Sequence, residues 1–246
     1  MATIAPEILV IRDYLPIRFK NRNEQEYIEF LWDSFESNYN NEKYQFSFIA
    51  YHMLFMSFVY FNVWQIKKIH SADYDKITLG FNDCFNNTTS PFTFSQEQER
   101  RIFTLFKFFG LGNEKIGQYK KVVDLRNEVA HSNGNIFFKA QETVDNKITE
   151  ILRFAEEIQQ HSKSAIQDCF KRFLIESQNE DERRYIDIQE QIHEELVHEH
   201  YLSQKDLEFC MEYDITELNG EPNYEEIERI FEELRTEYAT DENADT

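Results

Sequence analysis

Residues 125–134 read Leu-Arg-Asn-Glu-Val-Ala-His-Ser-Asn-Gly. Arg126 offers a permanent planar cation, Asn127 an amide, and His131 an imidazole that titrates near neutral pH. Together they can hold a phosphate and move a proton without a metal. The guanidinium forks onto phosphate oxygens, the imidazole takes or gives the proton, and the amide bonds the phosphate or orients the ring. This chemistry suits RNA cleavage by attack of a 2′-hydroxyl on the neighbouring phosphate. On an ideal helix Asn127 and His131 share a face, whereas Arg126 and His131 diverge by about 140°. Convergence therefore requires the helix end to tighten or unwind, or a second chain to supply the complement. A nearby helix C-terminus favours the protonated imidazole.

The elements around these residues read as helices. Phe (23) and Tyr (13) are plentiful while Gly (6) and Pro (4) are scarce, which favours long helices over a many-stranded sheet. Tyr27, Phe30, Leu31, Ser34 and Phe35 recur at helical spacing over residues 24–39, ahead of an Asn-rich turn. Residues 44–69 are the most apolar run and long enough to raise the question of a membrane. Ser47, His52, Ser57, Asn62 and Gln65 interrupt it and aromatics fill its middle, so it reads as a buried central helix with His52 as a hydrogen-bonded core histidine. Residues 82–94 read as a loop stopped by Pro91. Ser95 reads as the N-cap, with Gln98 in the capping-box position, of a helix closed by Gly110 and Gly112. A helix over 113–131 ends at Ser132-Asn133-Gly134. Residues 140–176 form a long helix with Ile148, Ile151, Leu152, Ala155 and Ile158 as its stripe, extended by Ile166, Phe170, Phe173 and Leu174; its polar run His161 to Lys163 leaves room for a kink.

Net charge is −20, unevenly placed. Residues 176–246 hold 24 Asp/Glu against 5 Lys/Arg, while residues 1–175 are close to neutral. An acidic region repels nucleic acid, so any RNA chemistry belongs to the near-neutral body. In the acidic third, Ile188, Ile192 and Leu196 mark one helix. Ser203 reads as the cap of a second carrying Leu207, Cys210 and Met211. Asn219 to Pro222 read as a turn, and Ile227, Ile230, Phe231 and Leu234 mark a last helix. This third reads either as a solvated helical extension or as a module for a regulatory partner.

Metal readings are weak. His193-Glu194-Glu195-Leu196-Val197-His198 spaces its histidines one residue too far apart for the HExxH arrangement, leaving adventitious binding by His193, His198 and His200. Asp214 to Glu225 resembles a calcium loop only faintly, with Asn219 where glycine is needed. No metal or cofactor is expected. Cys84, Cys169 and Cys210 are widely separated and read as incidental thiols of a cytoplasmic protein; residues 1–18 lack a basic region and a small-residue cleavage site.

Arg126-Asn127-x-x-x-His131 near the end of a helix in an all-α chain resembles the HEPN family (higher eukaryotes and prokaryotes nucleotide-binding). The resemblance covers roughly residues 24–176, with the motif between the last two long helices. It implies a HEPN-like helical bundle and a metal-independent endoribonuclease acting as a toxin or in antiphage defence. Arg126, Asn127 and His131 would be catalytic, and a homodimer would bring two motifs into one composite site. Toxins of one subgroup carry a Tyr two residues after the His, where this chain has Asn133, so control by modification there is not expected. The alternative is a non-catalytic HEPN-like dimerisation or adaptor protein whose acidic region binds a partner. The organisation expected is an N-terminal segment 1–23, the bundle 24–176, an acidic helical extension 177–239 and a disordered tail 240–246. The partners expected are RNA and a second copy of the chain, with no membrane.

Overall fold

The computed structural model describes residues 4–81, 85 and 88–239. The chain is mostly helical, 75% of it in helix, and no strand occurs among the described residues; the all-α class holds. Residues 240–246, the expected disordered tail, and Cys84 lie outside the described residues.

Contacts divide the chain into two compact units. The first comprises residues 1–15 and 21–161, the second residues 16–20 and 162–246. These limits differ from the expected breaks at 23/24 and 176/177. The N-terminal residues divide because Ile8 and Ile11 are buried in the first unit, where the Tyr51 hydroxyl donates to the Ile8 carbonyl at 3.0 Å. Residues 16–20 join the second unit through main-chain pairing, with Ile17 N–H donating to the Leu202 carbonyl at 3.0 Å.

In the first unit, helix α1 (Pro6–Leu9) runs into a 3₁₀ turn, Val10–Tyr14. Helix α2 (Arg22–Asn40) begins two residues earlier than expected because Asn21 caps it, its side chain accepting from Glu24 N–H at 3.0 Å. Helix α3 (Tyr44–Ile69) is the expected central helix. It is long and apolar enough to cross a membrane, yet 83% of its most apolar window is buried inside protein. A helix apolar on every face satisfies itself only when surrounded. Aromatic edges do much of that packing, as where Phe35 of α2 meets Tyr51 of α3 at 5.1 Å. Helix α4 (Ser71–Ile77) follows without a strong sequence signal.

The expected start at Ser95 is corrected. Ser90 caps a 3₁₀ helix, Pro91–Gln96, its side chain accepting from Phe92 N–H, and Ser95 lies inside that turn with its hydroxyl donating to the Phe92 carbonyl. Proline at a first helical position is preset for helix, so Pro91 starts an element instead of stopping one. The short helix α5 (Glu99–Ile102) then runs into a 3₁₀ stretch, Phe103–Phe109. Gly110 closes it at φ 80°, with Leu111 N–H reaching back to the Phe106 carbonyl, a left-handed cap that glycine adopts without penalty. Helix α6 (Asn113–Ala130) packs on α7 (Gln141–Ser177), where Tyr119 meets Phe154 at 4.8 Å and Lys115 pairs with Glu157 at 2.6 Å. Helix α7 is unbroken through His161–Lys163, and its expected stripe is buried except for the half-buried Leu152.

The second unit takes the end of α7 and the acidic helices. Helix α8 (Ile188–Gln191) passes into a π-helical stretch, Ile192–His198. The helical run continues to His200 and stops at Tyr201, held at φ 53°, with Leu202 N–H bonded to the Val197 carbonyl. Ser203 caps α9 (Gln204–Met211) through a full capping box with Asp206, as the sequence suggests for Ser203. The amphipathic α10 (Tyr224–Tyr238) buries Ile227, Ile230, Phe231 and Leu234. Arg183, its guanidinium wholly buried, pairs with Glu226 at 2.7 Å.

Candidate functional site

Helix α6 presents Ile116, Tyr119, Val122, Val123 and Val129 to the core. Arg126 lies on its half-buried side, and its guanidinium makes a close ion pair with Glu99 Oε1. Glu99 is the first residue of α5, whose neighbours Ile102 and Phe103 are fully buried and fix its position. Arg100 and Asp124 add a second close ion pair between the same two helices.

The other oxygen of Glu99, Oε2, meets His52 Nε2 of α3 at 3.1 Å. His52 is completely buried. Its pKa is lowered, first by burial, against the opposing pull of Glu99. A neutral ring donating Nε2–H to Glu99 accounts for the contact and leaves Nδ1 buried with no hydrogen-bond partner. Burial works against the Glu99 charge, but the hydrogen bond from His52 and the hydrogen bond and positive charge of Arg126 outweigh it and bring the carboxyl down to about 2. The result is a hydrogen-bonded chain across three helices, from His52 to the Glu99–Arg126 ion pair. His52 is the hydrogen-bonded core histidine that its place in α3 suggests; its partner Glu99 leaves no trace in the sequence, since nothing local ties residue 99 to residues 52 and 126.

Helix α6 ends at His131. This residue takes an extended conformation (φ −78°, ψ 144°), and its N–H still bonds the Asn127 carbonyl at 3.1 Å. The helix thus stops one residue short of the expected end at residue 131, with His131 as its C-cap. The His131 side chain is exposed, while Asn127 is half-buried. Arg126 and His131 are not brought into hydrogen-bond contact within one chain; one faces Glu99 and the other solvent.

Two residues that carry no motif shape this loop. The Asn133 side chain donates to the Glu128 carbonyl at 3.1 Å and accepts from Asn135 N–H at 3.0 Å, closing the helix and starting the turn that Gly134 completes at φ 78°. Gln45 of α3 bridges the loop's two ends. Its amide donates to the Val129 carbonyl at 3.0 Å and accepts from Phe137 N–H at 3.1 Å.

The remaining candidates are committed elsewhere. His193 lies between the Arg18 guanidinium, which donates to Nδ1 at 3.2 Å, and Glu237. His198 takes Glu194 and the Phe19 carbonyl, and His200 the Leu196 carbonyl. Asp214 caps the 3₁₀ turn Ile215–Leu218. No group of three or more His, Cys, Asp or Glu side chains is placed to hold a metal ion among the described residues. Cys169 and Cys210 are buried and free, and burial pushes the Cys169 thiol up to about 12.

No family model, curated protein or solved structure matches this chain.

Proposed function

We propose that the chain is a HEPN-type, metal-independent endoribonuclease working in defence or as a toxin, with Arg126, Asn127 and His131 as its catalytic set. The observation that carries this reading is the end of α6: the helix breaks at His131, leaving an accessible imidazole five residues from a guanidinium already held in place by Glu99. Arg126 stabilises the phosphate as it becomes pentavalent, His131 moves the proton between the 2′-hydroxyl and the leaving oxygen, and Asn127 supports both.

A second copy of the chain completes the site in this reading. Phe46 and Ile136, chain neighbours of the bonded pair Gln45 and Phe137, are 59% and 64% exposed. Apolar residues exposed beside the His131 loop are what an interface there needs. The test is cleavage of RNA in EDTA, with 2′,3′-cyclic phosphate ends on the products and loss of cleavage in His131→Ala. Cleavage that survives in that variant overturns the reading.

One observation favours the alternative, a non-catalytic adaptor with a HEPN-like bundle. Arg126 is already neutralised by Glu99, as it would be in a purely structural ion pair. Absence of cleavage at high protein concentration, with capture of a basic partner by the acidic region, is the outcome that reading expects.

A further inference from the structure

A second site adjoins Glu99. A cavity of about 500 Å³ opens in the first unit between the start of α2, the middle of α3 and the Pro91–Gln96 turn, with Glu99 in its wall. Tyr27, Met53, Met56, Tyr60 and Phe92 give it a largely apolar lining. The volume falls in the range that small-molecule sites occupy.

The acids in the wall are already engaged. Glu99 is paired with Arg126 and bonded to His52, and Glu24 accepts the Ser90 hydroxyl at 2.5 Å. What the cavity offers a ligand is hydrogen-bond donors. Tyr60 is 7% exposed, and its hydroxyl has no hydrogen-bond partner among the described residues. Tyr27 is half-buried and its hydroxyl is equally without one. The two phenols lie close enough to feel each other's charge, and Tyr60 also feels Glu99 and Arg126. Burial raises both hydroxyls above their ordinary value, so they stay protonated donors. Asn21, also in the wall, uses its side-chain oxygen to cap α2, which leaves its NH2 group as a further donor.

These features select the ligand. A buried hydroxyl without a partner needs an acceptor, and the cavity that Tyr60 lines is where one can stand. The acceptor is neutral, because no Lys, Arg or His lines the cavity and an anion would meet the Glu24 and Glu99 carboxylates. The aromatic lining suits a flat ring, which stacks on such side chains. Position narrows the choice further. Glu99 in the wall is the acid that orients Arg126, the phosphate-holding residue of the ribonuclease reading. A nucleotide whose phosphate reaches Arg126 carries its own flat ring, and ring carbonyls are neutral acceptors on it.

We infer that this cavity binds a nucleobase carrying a ring carbonyl, held by the Tyr27 and Tyr60 hydroxyls. The choice of a nucleobase rests on the ribonuclease reading, in which base and scissile phosphate belong to one RNA strand.

Calorimetric titration of the full chain at neutral pH with inosine, adenosine and uridine tests this without a cleavage step. Inosine and adenosine share a purine frame and differ at one edge, carbonyl against amino. Inosine and uridine are expected to bind one to one, and inosine about threefold to tenfold more tightly than adenosine. Tyr60→Phe keeps the ring and is expected to shrink that preference, and the double variant Tyr27→Phe, Tyr60→Phe to remove it. Neither variant loses a protein hydrogen bond among the described residues, and circular dichroism checks the fold of each. Equal affinity for inosine and adenosine overturns the proposal. So does the absence of saturable binding of inosine up to about 10 mM, or a preference undiminished in every folded variant. These outcomes are read whether or not the chain cuts RNA. If the nucleosides bind as expected and RNA is not cleaved, the ribonuclease reading alone falls and the cavity belongs to a free nucleoside.

Discussion

The Arg126 guanidinium is held by the Glu99 carboxylate, and the same carboxylate is held from the far side by the buried His52 ring. One acid thus orients the Arg126 guanidinium and balances its charge. Arg126 Nε is itself buried with no hydrogen-bond partner among the described residues, and the ion pair with Glu99 runs through Nη2.

Glu99→Gln removes the charge and keeps the shape. It leaves Arg126 partly buried without its counter-ion, and the expected loss is about 1–3 kcal/mol of unfolding free energy. Urea denaturation with an unchanged m-value measures it. A change under about 0.5 kcal/mol would show that this hydrogen-bonded chain contributes no stability.

The pH dependence follows from the sign of the Glu99 shift. Its folded carboxyl lies at about 2, below the ordinary value of 4.5, so its contribution is present above pH 4.5 and disappears as the pH falls towards 2. The contribution is on the order of 3 kcal/mol. Glu99→Gln should therefore flatten the stability curve between those two pH values. Parallel curves for the two proteins would count against the assignment of the shift to this residue.

The two motif substitutions are not equivalent. His131 is exposed, so His131→Ala should change stability by less than about 0.5 kcal/mol and, under the ribonuclease reading, abolish RNA cleavage. Arg126→Ala strands Glu99 in a largely buried place and should cost about 2–4 kcal/mol, with loss of cleavage added under the ribonuclease reading. Thermal melts beside cleavage assays separate the two effects. If His131→Ala unfolds the chain, the exposed placement of that side chain is wrong.

Gln45→Ala tests the loop. It removes both side-chain bonds that join Val129 and Phe137 to α3, at an expected cost of about 1–2 kcal/mol. Under the ribonuclease reading kcat should fall by more than KM rises, because a looser loop misplaces His131 without touching substrate. An effect confined to stability would make Gln45 merely structural.

Ser203→Ala removes the α9 capping box and should cost about 0.5–2 kcal/mol. Hydrogen exchange should quicken first in the initial turn of α9. Unchanged protection there would mean that packing of Leu207 and Cys210 holds the helix unaided.

The sequence determined the long helices, because their signals are local. Apolar spacing marks α2, α7 and α10, the Ser203 cap and Gly110 stop set ends, and the unbroken apolar character of α3 requires burial on every side. Ser90-Pro91 misled because one dipeptide reads as a stop or as a start, and only the following turn decides between them. The site divides the same way. Arg126, Asn127 and His131 share one short stretch, so the candidate set is legible there, and so is a helix end close to His131. Tertiary structure alone decided that Arg126 meets Glu99, that Glu99 meets His52, and that Gln45 bridges the His131 loop. Those partners lie on three different helices, and their meeting depends on how the helices pack around α3. A helical period fixes which face a residue occupies, but not which neighbour that face will find.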